Sequence, residues 1–163
     1  MELALISDTH IPSREQAIPD AFEQRIRASD HVIHAGDFDS DGAFADIRAM
    51  APDLTAVSGN TDRGLGLPLV TSVTLGRVEF VVTHGAGSRR GYESRVAQAV
   101  ADNAETDDAV GVAGHTHEPL DTHHDGVRLL NPGSATGASP ADFPTMLTAT
   151  AEDGHLDVSL HGQ

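Results

Sequence analysis

The chain has 163 residues, 39% of them hydrophobic, with no cysteine and a formal net charge of −15. That length fits one domain over residues 1–163, and the lack of Cys excludes a disulfide framework, a thiol nucleophile and any thiolate metal site, so a metal would be held by oxygen and nitrogen. All ten basic residues are Arg against 25 acidic ones, a self-repulsion screened when the Debye length falls to about 3 Å in molar salt, which points to a salt-rich host and away from a general nucleic-acid-binding surface.

Short apolar runs alternate with helical patterns in the first half, as in β-α-β organisation. Strands are expected at Leu3 to Ser7, His31 to Ala35 and Leu54 to Ser58. The first helix is expected to start at Asp20, with its carboxylate as cap, Glu23 completing a capping box, and Phe22 and Ile26 on one face. The second starts near Ser40, with Phe44, Ile47 and Met50 as its stripe. After Asn60 the pattern changes to hairpins. Leu69 to Leu75 and Val78 to Thr83 are joined by Gly76-Arg77, with Gly first as a type II′ turn requires. A helix at about Tyr92 to Asn103 and a strand at Ala109 to Ala113 follow, then tight turns at Asp125-Gly126 and Asp153-Gly154. Leu156, Val158 and Leu160 alternate with polar residues, so the last strand covers something on one face. The fold class is α/β, a four-layer α/β/β/α sandwich with two packed mixed sheets.

Polar, metal-competent side chains follow five of these strands: Asp8 and His10, Asp37, Asn60, His84, and His115 with His117. In open α/β sheets the carboxyl ends of parallel strands converge on one edge, where ligands bind. Two carboxylates, four imidazoles and one amide oxygen are too many for a single first-row ion with open positions. They suit two ions sharing a bridge, whose net charge of about +2 attracts a phosphate and acidifies a bridging water.

Ser7-Asp8-Thr9-His10, Gly36-Asp37, Gly59-Asn60-Thr61-Asp62, Thr83-His84-Gly85 and Gly114-His115-Thr116-His117 occur in this order. Together they resemble the calcineurin-like metallophosphoesterase superfamily, and most of all its small prokaryotic phosphodiesterases. The resemblance implies that Asp8, His10 and His117 hold one metal, that Asn60, His84 and His115 hold the other, and that Asp37 bridges them. It implies a phosphoesterase, foremost a phosphodiesterase, in which a metal-bridging hydroxide attacks phosphorus in line and Asn60 contacts the substrate and stabilises the transition state. Asp37 and Asn60 are thus the catalytic candidates. The ligand set suits two divalent ions, Mn²⁺ first, with Fe, Co²⁺, Ni²⁺ or Zn²⁺ also compatible, and fits Mg²⁺ poorly.

One position departs from the family pattern. Where the phosphomonoesterase and protein-phosphatase branches carry a His that protonates the leaving oxygen, this chain has Thr61, so diesters or activated esters are the expected substrates. Thr61 and His34, which ends a strand beside Gly36-Asp37, are secondary candidates for contact with the substrate, with a partly buried ring as the first expectation for His34. Asp62 is expected to orient a neighbouring ligand. Arg63, Arg89 and Arg90 lie in Gly-rich loops where one could hold a phosphate, with solvated loop charge as the alternative.

The stretch Asn131 to Ala138 is dense in turn formers and is expected to brace the site. It is similar to a segment of the retromer sorting subunit of the same superfamily, and this supplies the alternative reading of a non-catalytic protein-binding scaffold. No apolar run approaches the roughly 18 residues of a membrane span, and Met1-Glu2 is no basic n-region, so a cytoplasmic protein with no membrane partner is expected; a homo-oligomer stays open. If the acidic surface is adapted to salt, the thermal unfolding midpoint followed by circular dichroism rises between about 0.1 M and about 2 M KCl; an unchanged midpoint refutes the adaptation.

Overall fold

The computed structural model describes residues 1–163. Its elements are β1 (Glu2–Ile6), α1 (Asp20–Ala28), β2 (His31–His34), α2 (Asp41–Met50), β3 (Leu54–Ala56), β4 (Val70–Leu75), β5 (Val78–Thr83), α3 (Tyr92–Asn103), β6 (Val110–Val112), β7 (Pro119–His124), β8 (Val127–Pro132), β9 (Thr145–Glu152) and β10 (His155–Gly162). They form two five-stranded mixed sheets, in the orders β10-β9-β1-β2-β3 and β4-β5-β6-β8-β7. β1, β2 and β3 run parallel, as do β5, β6 and β8. Each sheet therefore presents the carboxyl ends of neighbouring parallel strands, the edge at which the expected site residues lie.

Alternation along the strands sorts side chains into layers. Leu3 and Leu5 of β1 point into one core with Phe80 and Val82 of β5, Val112 of β6 and Leu130 of β8, which places the two sheets face to face. Ala4 and Ile6 point the other way, into a second core with Phe22 and Ile26 of α1 and Ala43 and Ile47 of α2. On the far sheet, Tyr92 and Val96 of α3 meet Leu129, and Val100 meets Val81. Two helices thus cover one outer face and one helix the other, giving the four-layer sandwich. Each large apolar side chain fully buried in these layers, Phe22, Phe38 and Phe80 among them, contributes roughly 1.5–3 kcal/mol.

Local chemistry explains most of the boundaries. Ser40 caps α2, its hydroxyl accepting the Ala43 N–H at 3.0 Å. The expected Asp20 cap is corrected: Pro19, with φ −56° and ψ 140°, occupies the N-cap position, and Asp20 becomes the first helical residue with no side-chain cap bond. Asp20 and Glu23 still place negative charge at the positive end of the helix. The Gly76-Arg77 turn is also corrected. Both residues have positive φ, +58° and +66°, the signature of a type I′ rather than a type II′ turn. A Cβ at Gly76 would strike the Ala151 carbonyl. β1 and β2 each stop one residue before the expected end, ahead of Asp8 and Asp37, which turn the chain into left-handed conformations with φ +51° and +64°, and β3 stops two residues before its expected end. Leu160 of β10 is 57% exposed, so the apolar stripe of the last strand covers the core only through Leu156 and Val158.

A buried carboxylate ties the chain beyond α3 to the second sheet. Glu79 of β5 accepts the N–H groups of Glu105 and Thr106, both at 2.8 Å, and the Thr106 hydroxyl at 2.7 Å. Burial raises its pKa, but these donors more than offset it and hold the carboxyl below its usual range. A depressed pKa contributes stability that is complete above the ordinary value near 4.5 and is lost as pH falls through the folded value. Glu79→Ala is expected to cost about 1–3 kcal/mol at neutral pH, and the gap from wild type in urea denaturation narrows when repeated in acid.

Candidate metal centre

The site is assembled from strand ends that leave their sheets in strained conformations. Nine non-glycine residues have positive φ, and six of them, Asp8, His10, Asp37, Asp39, His115 and His117, lie here; the others, Arg77, Asp125 and Asp153, sit in hairpin turns. A left-handed L-residue costs roughly 1–2 kcal/mol, so the surroundings must impose each one. Much of that constraint comes from Asp62, whose carboxylate accepts the backbone N–H groups of Asp37, Phe38, Asp39 and Gly59 at 2.7 to 3.0 Å. It orients the Asp37 loop. Gly36 is required by its φ of +98° and by space, since a Cβ there would lie 2.7 Å from the Gly59 nitrogen and 2.8 Å from His84 Nδ1.

Asp8, His10 and His117 form one close group of donor atoms, and Asp8, Asp37 and His84 form another. His117 Nε2 lies 3.3 Å from Asp8 Oδ1 and 3.2 Å from His10 Nε2. Asp37 Oδ2 lies 3.5 Å from His10 Nε2 and 3.1 Å from His84 Nε2, between the two groups, as a bridging ligand requires. Asp8 also touches both groups, with Oδ1 3.9 Å from His84 Nε2. All five side chains are buried.

Hydrogen bonds at the rear of the rings decide what faces this space. His84 Nδ1 meets the Ala35 carbonyl and His117 Nδ1 the Ala138 carbonyl, each at 2.7 Å, and His10 Nδ1 meets the Asp39 carboxylate at 2.9 Å. Each partner only accepts, so each Nδ1 carries a proton and each Nε2 presents a lone pair to the centre. Those lone pairs and two carboxylate oxygens converge with no donor among them. Asp8 Oδ1 and His84 Nε2 are buried without any hydrogen-bond partner. Such a set needs cations, and mixed imidazole and carboxylate donors suit divalent transition ions.

Without cations, protons take that role. Burial alone would lower the His84 pKa, but the Asp37 carboxylate 3.1 Å from its Nε2 and the charge of Asp8 raise it to about 9. Burial would likewise lower the His117 pKa, but its contact with the Asp8 carboxylate reverses this and raises it above the ordinary imidazole value. For Asp37, burial pushes the pKa up, yet the adjacent His84 ring and the bonds from Thr61 hold the carboxyl well below the usual carboxylate range.

Asn60 and His115 complete the array at its exposed margin. His115 Nε2 donates to the Gly87 carbonyl at 2.7 Å, leaving Nδ1 as a lone pair 3.1 Å from Asn60 Oδ1. Its ring stands edge-on to His84, with centroids 5.2 Å apart. The seven candidate ligands Asp8, His10, Asp37, Asn60, His84, His115 and His117 therefore occupy one contiguous site.

The secondary candidates fall elsewhere. His34 is fully buried; its Nδ1 accepts the Gly36 N–H, its Nε2 bonds Thr9 Oγ1 at 2.6 Å, and its ring stacks on Phe38 at 3.6 Å. Burial, with repulsion from His84, lowers its pKa to about 3. The secondary role of substrate contact for His34 is thus corrected in favour of the expected burial, which is complete rather than partial: a neutral ring with both nitrogens engaged supports the loop from behind. Thr61 is at the site, but its hydroxyl is committed to Asp37 Oδ1 at 2.9 Å and Asp39 Oδ1 at 2.5 Å. Arg89 is paired with Glu118 at 2.8 Å and the Thr116 carbonyl at 3.1 Å.

Other contributors were not singled out in the sequence. Asp39 holds His10 from behind, and Arg95 donates to the carbonyls of Gly85 and Ser88, fixing the loop after His84. The repeated acid in Gly36-Asp37-Phe38-Asp39 was the available signal for Asp39; nothing in the sequence distinguished Arg95. The segment after β8 braces the centre: Ser134 Oγ donates to the Asp8 carbonyl at 2.7 Å, Thr136 Oγ1 to the Thr9 carbonyl at 2.8 Å, and Asn131 Nδ2 to the Gly114 carbonyl at 3.0 Å.

Comparison with known proteins agrees with this geometry. Residues 1–154 match the calcineurin-like phosphoesterase superfamily domain. The chain is 32% identical over 162 residues to the probable metallophosphoesterase of Methanothermobacter thermautotrophicus, covering 98% of this chain and 91% of that protein. Wild-type Vps29 of Entamoeba histolytica, solved as a zinc complex, shares the fold with a TM-score of 0.78 and 24% identity, over 100% of this chain and 98% of that one. An archaeal phosphodiesterase shares it with a TM-score of 0.71 and 23% identity, over 99% of this chain and 100% of that one. With residues 1–154 of the chain matched to the domain and the metal-competent residues gathered at its strand ends, the chain belongs to the calcineurin-like phosphoesterase superfamily.

Proposed function

We propose that this protein is a dinuclear metal-dependent phosphodiesterase acting on a small phosphodiester. One observation carries the reading: buried electron-pair donors of Asp8, His10, Asp37, His84 and His117 converge with no proton donor between them. Asp8, His10 and His117 would hold one ion, Asn60, His84 and His115 the other, and Asp37 both. When bound, two divalent ions supply an activated water and neutralise phosphoryl oxygens. Mn²⁺ is the first choice, with Fe, Co²⁺, Ni²⁺ and Zn²⁺ compatible with the same donors.

The chain's own residues then position the ester. Asn60 is exposed at the mouth of the site, where its carboxamide N–H can meet a phosphoryl oxygen while its Oδ1 faces His115. Beside it opens a cavity of about 230 Å³ bordered by Asn60, His84, Ala86, Leu69 and Val70, suited to an apolar ester substituent. No acid stands ready for a strongly basic leaving oxygen, because the Thr61 hydroxyl is already committed and His34 is sealed behind the loop. Diesters and activated esters follow as substrates. The archaeal phosphodiesterase of the same fold supports this reading, and Vps29 supports the alternative of a protein-binding scaffold. A scaffold gives no physical reason for the converging lone pairs.

Purified protein with Mn²⁺ is expected to hydrolyse bis(p-nitrophenyl) phosphate faster than p-nitrophenyl phosphate, with activity lost on chelation and lowered by several orders of magnitude in Asp37→Asn. No cleavage by folded protein with any of these ions would favour the scaffold. In Thr61→His, rates across substituted phenyl esters are expected to depend less steeply on leaving-group pKa; an unchanged slope removes any role of position 61 in leaving-group protonation.

A further inference from the structure

Three rings present Nε2 to the buried centre, but their rear contacts differ in kind. His84 and His117 each lean on a neutral backbone carbonyl, whereas His10 leans on a carboxylate, Asp39 Oδ1 at 2.9 Å. That carboxylate is itself pinned. Thr61 Oγ1 approaches the same oxygen at 2.5 Å, Ser13 Oγ bonds the other, and the Asp39 N–H donates to Asp62 Oδ1 at 3.0 Å. The residue is held at φ +78° and only 9% of its side chain is exposed. A strained, buried carboxylate with both oxygens occupied is poorly placed to bind metal or substrate itself. Among the candidate ligands its carboxylate touches His10 directly and reaches Asp37 only through the Thr61 hydroxyl.

We propose that Asp39 is a positioning residue that fixes His10 as an Nδ1-protonated ligand and makes the Asp8–His10–His117 position the tighter of the two metal positions. The physical basis is general: a carboxylate behind a ligating imidazole orients the ring, selects its tautomer and makes Nε2 a stronger donor than a carbonyl does, and loss of such a partner weakens metal binding by about 10- to 100-fold. Since only one of the two positions contains His10, the effect is unequal. The ions therefore load in order, the Asp8–His10–His117 position first. This inference rests on the two-metal reading above.

The test is stepwise titration of the metal-free full-length protein with Co²⁺, followed by calorimetry and by proton NMR of the loaded protein. In Asp39→Ala the tighter equivalent is expected to weaken about 10- to 100-fold while the weaker one is unchanged, and one hyperfine-shifted, exchangeable imidazole N–H signal disappears into solvent exchange. Asp39→Asn, whose carboxamide oxygen still accepts from Nδ1, is expected to retain that signal and to lose less affinity, again in the tighter equivalent only. If Asp39→Ala does not fold, this second variant decides alone. Wild-type affinities in the variants, or equal weakening of both equivalents, overturn the role of Asp39 while leaving the two-metal centre intact. Failure of the wild-type protein to bind two equivalents overturns both.

Discussion

Buried lone pairs facing one another repel, and a fold that holds them together must do so against that repulsion. Here Asp8 Oδ1, Asp37 Oδ2 and the Nε2 atoms of His10, His84 and His117 share one enclosed space, some only 3.1 to 3.5 Å apart. The surrounding architecture makes this arrangement persist. Carbonyls of Ala35 and Ala138 and the Asp39 carboxylate select the tautomers from behind. The sheets deliver the ligands from parallel strand ends, and the left-handed turns aim them inward.

The strain is distributed rather than concentrated. Asp62 anchors the Asp37 loop with four backbone amides, while Ser134, Thr136 and Asn131 hold the chain around Asp8, Thr9 and Gly114 from the opposite side. Each of these bonds is worth only about 1 kcal/mol net, but together they help hold Asp8, Asp37 and Asp39 at φ values that are unfavourable alone. The same bracing explains how Asp8 is fully buried and still correctly aimed.

Charge is divided between surface and site. With a net charge of −15, the chain offers little general attraction for anions, and several arginines near the centre are spent on internal contacts. Arg89 pairs with Glu118, Arg14 with the Ser139 carbonyl, and Arg95 with the loop after His84. In the proposed reaction, attraction for a phosphoester therefore falls to the cations rather than to a guanidinium clamp, in keeping with a small, singly charged diester.

Much of this was legible in the sequence because period-2 and period-3.6 patterns report burial directly: β5 at Val78–Thr83, α3 at Tyr92–Asn103 and the start of α2 near Ser40 follow from local chemistry. The ordered Asp, His and Asn residues after strand-like runs likewise marked the candidate ligands, since parallel strand ends meet at one edge. The Asp20 cap and the Gly76-Arg77 turn type were not settled, because neighbouring residues compete for one cap, and types I′ and II′ share a positive φ at the first turn residue and part only at the peptide that follows it. Nor was the role of Asp39. By itself, then, the sequence determined the layered α/β class and the set of metal-competent side chains. Only the tertiary structure decided which ring nitrogen faces the centre and what stands behind it, since those depend on partners such as Ala138 for His117 and Asp39 for His10 that packing alone brings together.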